Sequence, residues 1–272
     1  MPDPNEMEIP EHAHERLKHM KGTGGKRVLF TSDLSVNEFL LIKEAGFEPA
    51  GLVVGSSIYH IGFQFPRLMQ NMEMDVLTQA LYHARELAMT RMQAEAQELD
   101  ADGIVGVRLH VKHMSWNQDL AEFVAIGTAV YNKNGDKSFR GPGGKPFTSD
   151  LSGQDFWTLL RSGYRPVGMV MGNCVYHIAY QGIGQWFQNI GKNVEMTNFT
   201  QGLYDARELA MERMQVEAEQ CHAEGIVGVN ISEGNYGWSS HVLEFFSVGT
   251  AIVPMREDHH IPTPQLVMSV ND

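Results

Sequence analysis

Cysteine and histidine come first, because thiolate and imidazole are the side chains that hold soft divalent metals. In "GNCVYHI" (172–178) Cys174 and His177 stand three apart, and "GSSIYHI" (55–61) repeats the pattern with His60. The run predicts a strand. Successive side chains of a strand alternate faces, so residues three apart point to opposite sides and cannot grip one ion unless the strand bulges. Ser57 stands in the place of Cys174, so the thiol is not shared, whereas His60 and His177 both follow a tyrosine. A lone strand histidine more often hydrogen-bonds in a core or interface than ligates. His12 and His14 in "EHAHERLKH", and His259 and His260 in "REDHH", form terminal tracts of the kind that bind divalent metals adventitiously. There is no C-x-x-C and no H-E-x-x-H. A divalent heavy metal is the one cofactor these residues suggest, and none is assigned. "GTGGKR" and "GPGGKP" lack the G-x-x-x-x-G-K-[ST] pattern and precede predicted strands, which excludes a phosphate loop. Were the chain an enzyme with an active site between modules, His60, His177, Glu122 and Glu244 would be its first acid–base candidates.

The chemistry-bearing residues recur because the chain is duplicated. "FTSDLS" at 30–35 returns at 147–152, "ALYHARELAMTRMQAEAQ" (80–97) as "GLYDARELAMERMQVEAE" (202–219), "GIVGV" at 103–107 as 225–229, and "VAIGTAV" (124–130) as "FSVGTAI" (246–252). The offset is 117 early and 122 late, so the second copy carries about five extra residues. The reading divides the chain into a flexible N-terminal segment (1–27), module 1 (28–131), a Gly- and Asn-containing linker (132–146), module 2 (147–254) and a C-terminal tail (255–272). The fold class is α+β. Each module reads as β-α-β-β, a small, mostly antiparallel sheet on one long helix, with a short opening helix "SVNEFLLIKEAG" and a short strand near "RVLF".

The long helix carries Leu77, Leu81, Ala84, Ala88, Met92, Ala96 and Leu99 on one stripe, echoed by Phe199, Leu203, Ala206, Ala210, Met214, Ala218 and Cys221. Cys221 reads as a small core hydrophobe. A second stripe, Tyr82, Glu86, Met89 and Gln93, returns as Tyr204, Glu208, Met211 and Gln215, with Arg85 and Arg207 at its border. Three readings stand: a solvated face kept by duplication, an interface rich in Tyr, Met and Arg, and a catalytic Arg–Glu pair, disfavoured because neighbours on a helix do not face each other. The last strand adds weight to the interface. Leu120, Glu122, Val124, Ile126 and Thr128 face one way and Ala121, Phe123, Ala125, Gly127 and Ala129 the other, and Val242–Ala251 repeats this. A strand apolar on both faces needs cover on both, and one helix per module supplies half of it. Glu122 and Glu244 interrupt these faces, which makes them the expected partners of Arg85 and Arg207.

Three segments, Ala84–Ala88, Leu99–Gly106 and Ile126–Val130, recur in order as Ala206–Ala210, Cys221–Gly228 and Val248–Ile252. In them the sequence resembles the YbjQ family, labelled heavy-metal-binding, as a tandem duplication. The resemblance implies a dodecin-subunit-like module that assembles into pentameric rings. The opening helix departs from the family's usual start, and the first copy lacks the glycine pair the family carries before the long helix.

The net charge of −12 argues against nucleic acid or an anionic membrane as partner. No apolar run is long enough for a membrane span and no secretory h-region opens the chain. Two cysteines do not make a disulfide framework, so the expected setting is the reducing cytoplasm. The expected function is a non-catalytic, self-assembling ring or scaffold, five chains in two stacked rings, with ligand pockets between modules. The alternative is an intracellular heavy-metal-binding or buffering protein. The apolar run Leu266–Met268 could add a strand to a protein partner.

Overall fold

The computed structural model describes residues 9–22, 29–60, 70–114, 117–179, 195–235 and 241–261. In chain order these form α1 (Glu11–Lys21), α2 (Val36–Glu44), β1 (Phe47–His60), β2 (Met72–Glu73), α3 (Asp75–Glu98), β3 (Gly103–Met114), β4 (Asn117–Asn132), β5 (Phe147–Thr148), α4 (Gly153–Arg161), β6 (Tyr164–His177), α5 (Thr197–Gln220), β7 (Gly225–Asn235) and β8 (Val242–Pro254). The fold is α+β, with two copies of the β-α-β-β unit, β1-α3-β3-β4 and β6-α5-β7-β8.

Two four-stranded sheets run β1-β4-β3-β5 and β2-β6-β8-β7. The pairings are antiparallel except β3 with β5. The two short strands are exchanged: β2 belongs to module 1 and joins the sheet of module 2, while β5 opens module 2 and joins the sheet of module 1. In each unit the second strand bulges at a glycine with positive φ, Gly106 (65°) and Gly228 (68°), where the register against the last strand slips. A side chain there would be strained, which accounts for the repeated "GIVGV".

The other repeated motif, "TSDLS", holds the far end of the last strand. Thr128 Oγ1 donates to Asp33, and Thr250 Oγ1 donates to Asp150. Ser35 then caps α2 in a capping box with Glu38. Glu38 also accepts the backbone N–H of Gly153 at 3.1 Å, tying α2 to the start of α4. Beneath these helices Phe47, Phe147 and Phe156 pack ring to ring across the module boundary.

The core stripe of α3 is fully buried on its own sheet, from Leu77 to Leu99. The helix lies so close that a Cβ on Gly55 would meet the Ala88 carbonyl oxygen at 1.9 Å; Gly172 under Ala210 is the same at 2.0 Å.

Three expectations change. The N-terminal segment, expected to be a flexible tail, carries α1, which docks on α3 through buried Leu17 and Met20. Cys221 is half-buried, whereas its counterpart Leu99 is sealed, because Met20 of α1 closes over Leu99 and Gly51, while a Cβ on the corresponding Gly168 would meet nothing within 4 Å among the described residues. Leu29 and Phe30 are not in a strand, although their counterpart at Phe147 is. Residues 255–261 are held to α4, through Arg256 to the carbonyls of Leu160 and Arg161. The rest of the tail, with Leu266–Met268, lies outside the described residues.

The close approach yields a measurable outcome. Gly55→Ala and Gly172→Ala should each lower stability by roughly 3 kcal/mol in urea unfolding, since the new methyl meets rigid helix backbone rather than a movable side chain.

Candidate functional site

The sheet of module 2 is covered twice. Phe245 and Cys174 pack under α5, while Val175, Glu244 and Phe246 lie on the opposite face. That second face receives α3 of module 1. The strand apolar on both faces is thus sandwiched between its own helix and its sister's.

At the centre of this contact Arg85, 3% exposed, makes a two-pronged ion pair with Glu244, at 2.7 Å and 3.0 Å. The guanidinium lies 4.2 Å from the Phe246 ring centroid and 5.6 Å from that of Phe123. Asn173 supports the carboxylate at 3.4 Å and donates to the Thr78 carbonyl. Thr78 Oγ1 accepts the Val175 amide at 2.9 Å, and the Met74 amide donates to the Val175 carbonyl at 2.8 Å. At the edge of β6, Arg213 pairs with Glu73 at 2.7 Å and donates to the Asn173 carbonyl. A paired fork in a dry, aromatic setting gives register and orientation, because breaking either half strands a buried charge.

The remaining residues of the repeated stripe divide by module. Met89 is buried, Tyr82 half-buried with its hydroxyl donating to Glu217, and Glu86 pairs with His83 at 3.4 Å. On α5, Tyr204 and Glu208 are exposed and Met211 half-buried. Arg207 stacks over Tyr204 and Phe245, at 5.3 Å and 5.8 Å. Among the described residues Arg207 and Glu122 have no ion-pair partner within the chain.

The suggested metal residues do not come together. Cys174 faces the α5 core, where burial pushes its thiol up to about 12. His177 points to the other face of β6, where Nδ1 lies 3.2 Å from the Gln70 carbonyl oxygen. Burial lowers the pKa of His177. His60 is exposed at the end of β1. His12 lies exposed on α1, and His14 meets Glu98 at 3.6 Å. His259 and His260 are exposed, the latter 3.7 Å from Asp258. Among the described residues no group of three or more His, Cys, Asp or Glu is placed to hold a metal ion.

A further pair of carboxylates was missed by reading stripes. Glu95 and its counterpart Glu217 each turn toward the first strand of their sheet and accept a backbone amide, Val54 at 2.9 Å and Met171 at 2.8 Å. Glu95 is also paired with Arg16 of α1 at 2.7 Å. Among the described residues Glu217 has no such cation, and burial pushes it up to about 7. The signal was available, since both glutamates survive duplication beside the core stripe.

Two outcomes follow. Arg85→Ala should cost about 4 kcal/mol in urea unfolding, while the double variant Arg85→Met with Glu244→Leu should retain most of the stability, because it leaves no unpaired charge. Glu217 titrates higher in the folded chain than in the unfolded one. Its penalty on stability therefore grows as pH rises from about 4.5 to about 7 and is complete above that. Glu217→Gln should raise Tm at pH 8 and leave it nearly unchanged at pH 4.5.

Comparison with known proteins accords with the two-module geometry. The family model described as "Putative heavy-metal-binding" (YbjQ) matches twice, at residues 47–133 and 163–254. The chain is 55% identical over 259 residues to the Encapsulin nanocompartment protein Rv1762c of Mycobacterium tuberculosis, covering 95% of this chain and 96% of that one. UPF0145 proteins of Pseudothermotoga lettingae and Clostridium perfringens are 35% and 39% identical over 88 residues, which is 30% of this chain and 81% of each of theirs. Those single-module relatives correspond to one of the two repeats, and the chain belongs to the YbjQ family as a tandem duplication of its module.

Proposed function

We propose that this chain is a non-catalytic, self-assembling scaffold of the cytoplasm whose copies join head to tail. The observation that carries this is the inequality of its two halves. Residues buried at the contact between modules have exposed counterparts at the opposite ends of the chain. Val175 is 0% exposed and Ile58 61%; Met74 is 2% and Met196 42%; Phe147 is 1% and Phe30 42%. The exposed members fall into two groups. Module 1 offers the sheet face around Ile58 and Glu122, which no helix among the described residues covers, with Phe30 at its start. Module 2 offers α5 with Met196, Tyr204 and Arg207. These are the two halves of the contact already made once within the chain.

Repeating it between copies sets Arg207 of one chain on Glu122 of the next, as Arg85 sits on Glu244. Phe245 already occupies the place of Phe123 beneath Arg207, and Val124 takes that of Phe246 on the incoming face. Such a heterologous contact closes into a ring or runs on as a filament. It alternates the two modules along one path, which favours a mixed ring over two stacked rings of like modules. The expectation of five chains belongs to the stacked arrangement, in which each ring holds five like modules; a mixed ring holds two modules per chain and so an even number.

The related encapsulin nanocompartment protein favours a role in assembly over catalysis. Both cysteines are free thiols, and a reducing compartment would keep them so. No helix among the described residues is long and apolar enough to cross a membrane. Heavy-metal binding, the alternative, has no assembled donor set among the described residues to support it.

Light scattering of tag-free protein should give a mass several times that of the 30.5 kDa chain. Arg207→Glu and Glu122→Arg should each shift it toward the monomer, and the double variant should restore the assembly with the charges exchanged. A monodisperse wild-type monomer at micromolar concentration, or single variants that assemble unchanged, would defeat the proposal.

A further inference from the structure

The two copies of the carboxylate that caps the first strand are treated differently. Glu95 accepts the Val54 amide and holds the Arg16 guanidinium at 2.7 Å. Glu217 accepts the Met171 amide in the same way. Among the described residues module 2 has no counterpart of α1; there α3 lies alongside, and the neutral Tyr82 hydroxyl meets Glu217 where the Arg16 cation meets Glu95. Beside this contact a cavity of about 530 Å³ opens between the first half of α3 and the second half of α5; its counterpart in module 1, about 510 Å³, is lined by Arg16 itself. This is the size of a small-molecule site.

Its walls suit a cation with a short apolar stem. Glu217 stands beside Tyr82, whose hydroxyl donates to one carboxylate oxygen. Asp75 and Glu212 add negative charge, and the Arg213 guanidinium is already engaged by Glu73. Leu209 and Val216 supply an apolar side. A carboxylate fixed by a backbone amide and partly desolvated binds a planar guanidinium well, since both present parallel hydrogen-bonding edges. Module 1 performs that recognition with its own arginine.

We propose that the cavity between α3 and α5 binds a small guanidinium or primary-amine ligand, its head on Glu217 and its stem along Leu209 and Val216. The site is built by one chain and does not depend on assembly between copies.

Isothermal titration of the full chain with n-butylguanidinium tests this, with n-butylurea as the neutral isostere. Saturable binding with Kd below about 1 mM is expected for the cation. The urea should show none, and Glu217→Gln should weaken the cation at least tenfold. Absence of saturable binding by the wild type, equal binding of the urea, or undiminished affinity in Glu217→Gln would overturn the proposal. If circular dichroism shows that Glu217→Gln does not fold, Val216→Trp decides, because the indole fills the cavity from an exposed position. It should abolish binding, and retained affinity would equally overturn the site.

Discussion

A sheet that is apolar on both faces cannot stand alone in water, and most of this architecture answers that constraint. Each module brings one long helix and therefore covers one face. The chain resolves half of the deficit internally by laying α3 across the sheet of module 2. Burial of Val175 and Phe246 provides the driving force there, but apolar contact is not directional. The directional element is the Arg85–Glu244 fork, braced by Phe123 and Phe246 and by the hydrogen bonds of Thr78 to β6. A charge pair in such a place sets which residues meet more than it adds net stability. The same logic leaves one sheet face and one helix face without their complements, which is the physical basis for the proposed assembly.

Duplication made much of this legible in advance. The core stripe of α3 follows from helical period alone, and burial of every residue from Leu77 to Leu99 along it matches. The alternation in β4 and β8 identified a face in need of cover, and a carboxylate interrupting that face pointed to a cation nearby. Arg85 and Glu244 could be named because both recur in apolar surroundings. What periodicity could not supply was which module covers which. That choice is made by the short exchanged strands β2 and β5 and by the Phe47, Phe147 and Phe156 contact, and strands of two residues carry no periodic signal.

Helix α1 was illegible for a different reason. Its charges and histidines resemble those of a solvated tail, and only Ala13, Leu17 and Met20 give it an apolar edge. It is held by those buried side chains and by two ion pairs, Lys21 with Asp100 at 2.6 Å and Arg16 with Glu95 of α3, the latter a long-range contact of 79 residues' separation. Glu95 and Glu217 escaped notice because a glutamate near the border of a helix stripe looks like ordinary surface. Their role depends on reaching around the edge strand to a backbone amide, which is visible only once the helix is seated on the sheet.

Duplicated modules begin equal, so each difference between them marks a place where one copy has lost or gained a partner. In module 1, α1 shields Leu99 and neutralises Glu95. In module 2, Cys221 replaces the leucine and the glutamate is left with neutral donors. The smaller residue and the missing helix belong together, since both remove material from the same side of the sheet. A buried carboxylate without a cation is costly, and burial raises the pKa of Glu217 accordingly. The groove therefore persists with a carboxyl group already oriented by the Met171 amide and Tyr82. The asymmetry that leaves Glu217 without a cation is thus separate from the one that leaves Arg207 and Glu122 apart. The first comes from an N-terminal helix that exists once per chain, the second from the fact that a chain of two modules has two ends.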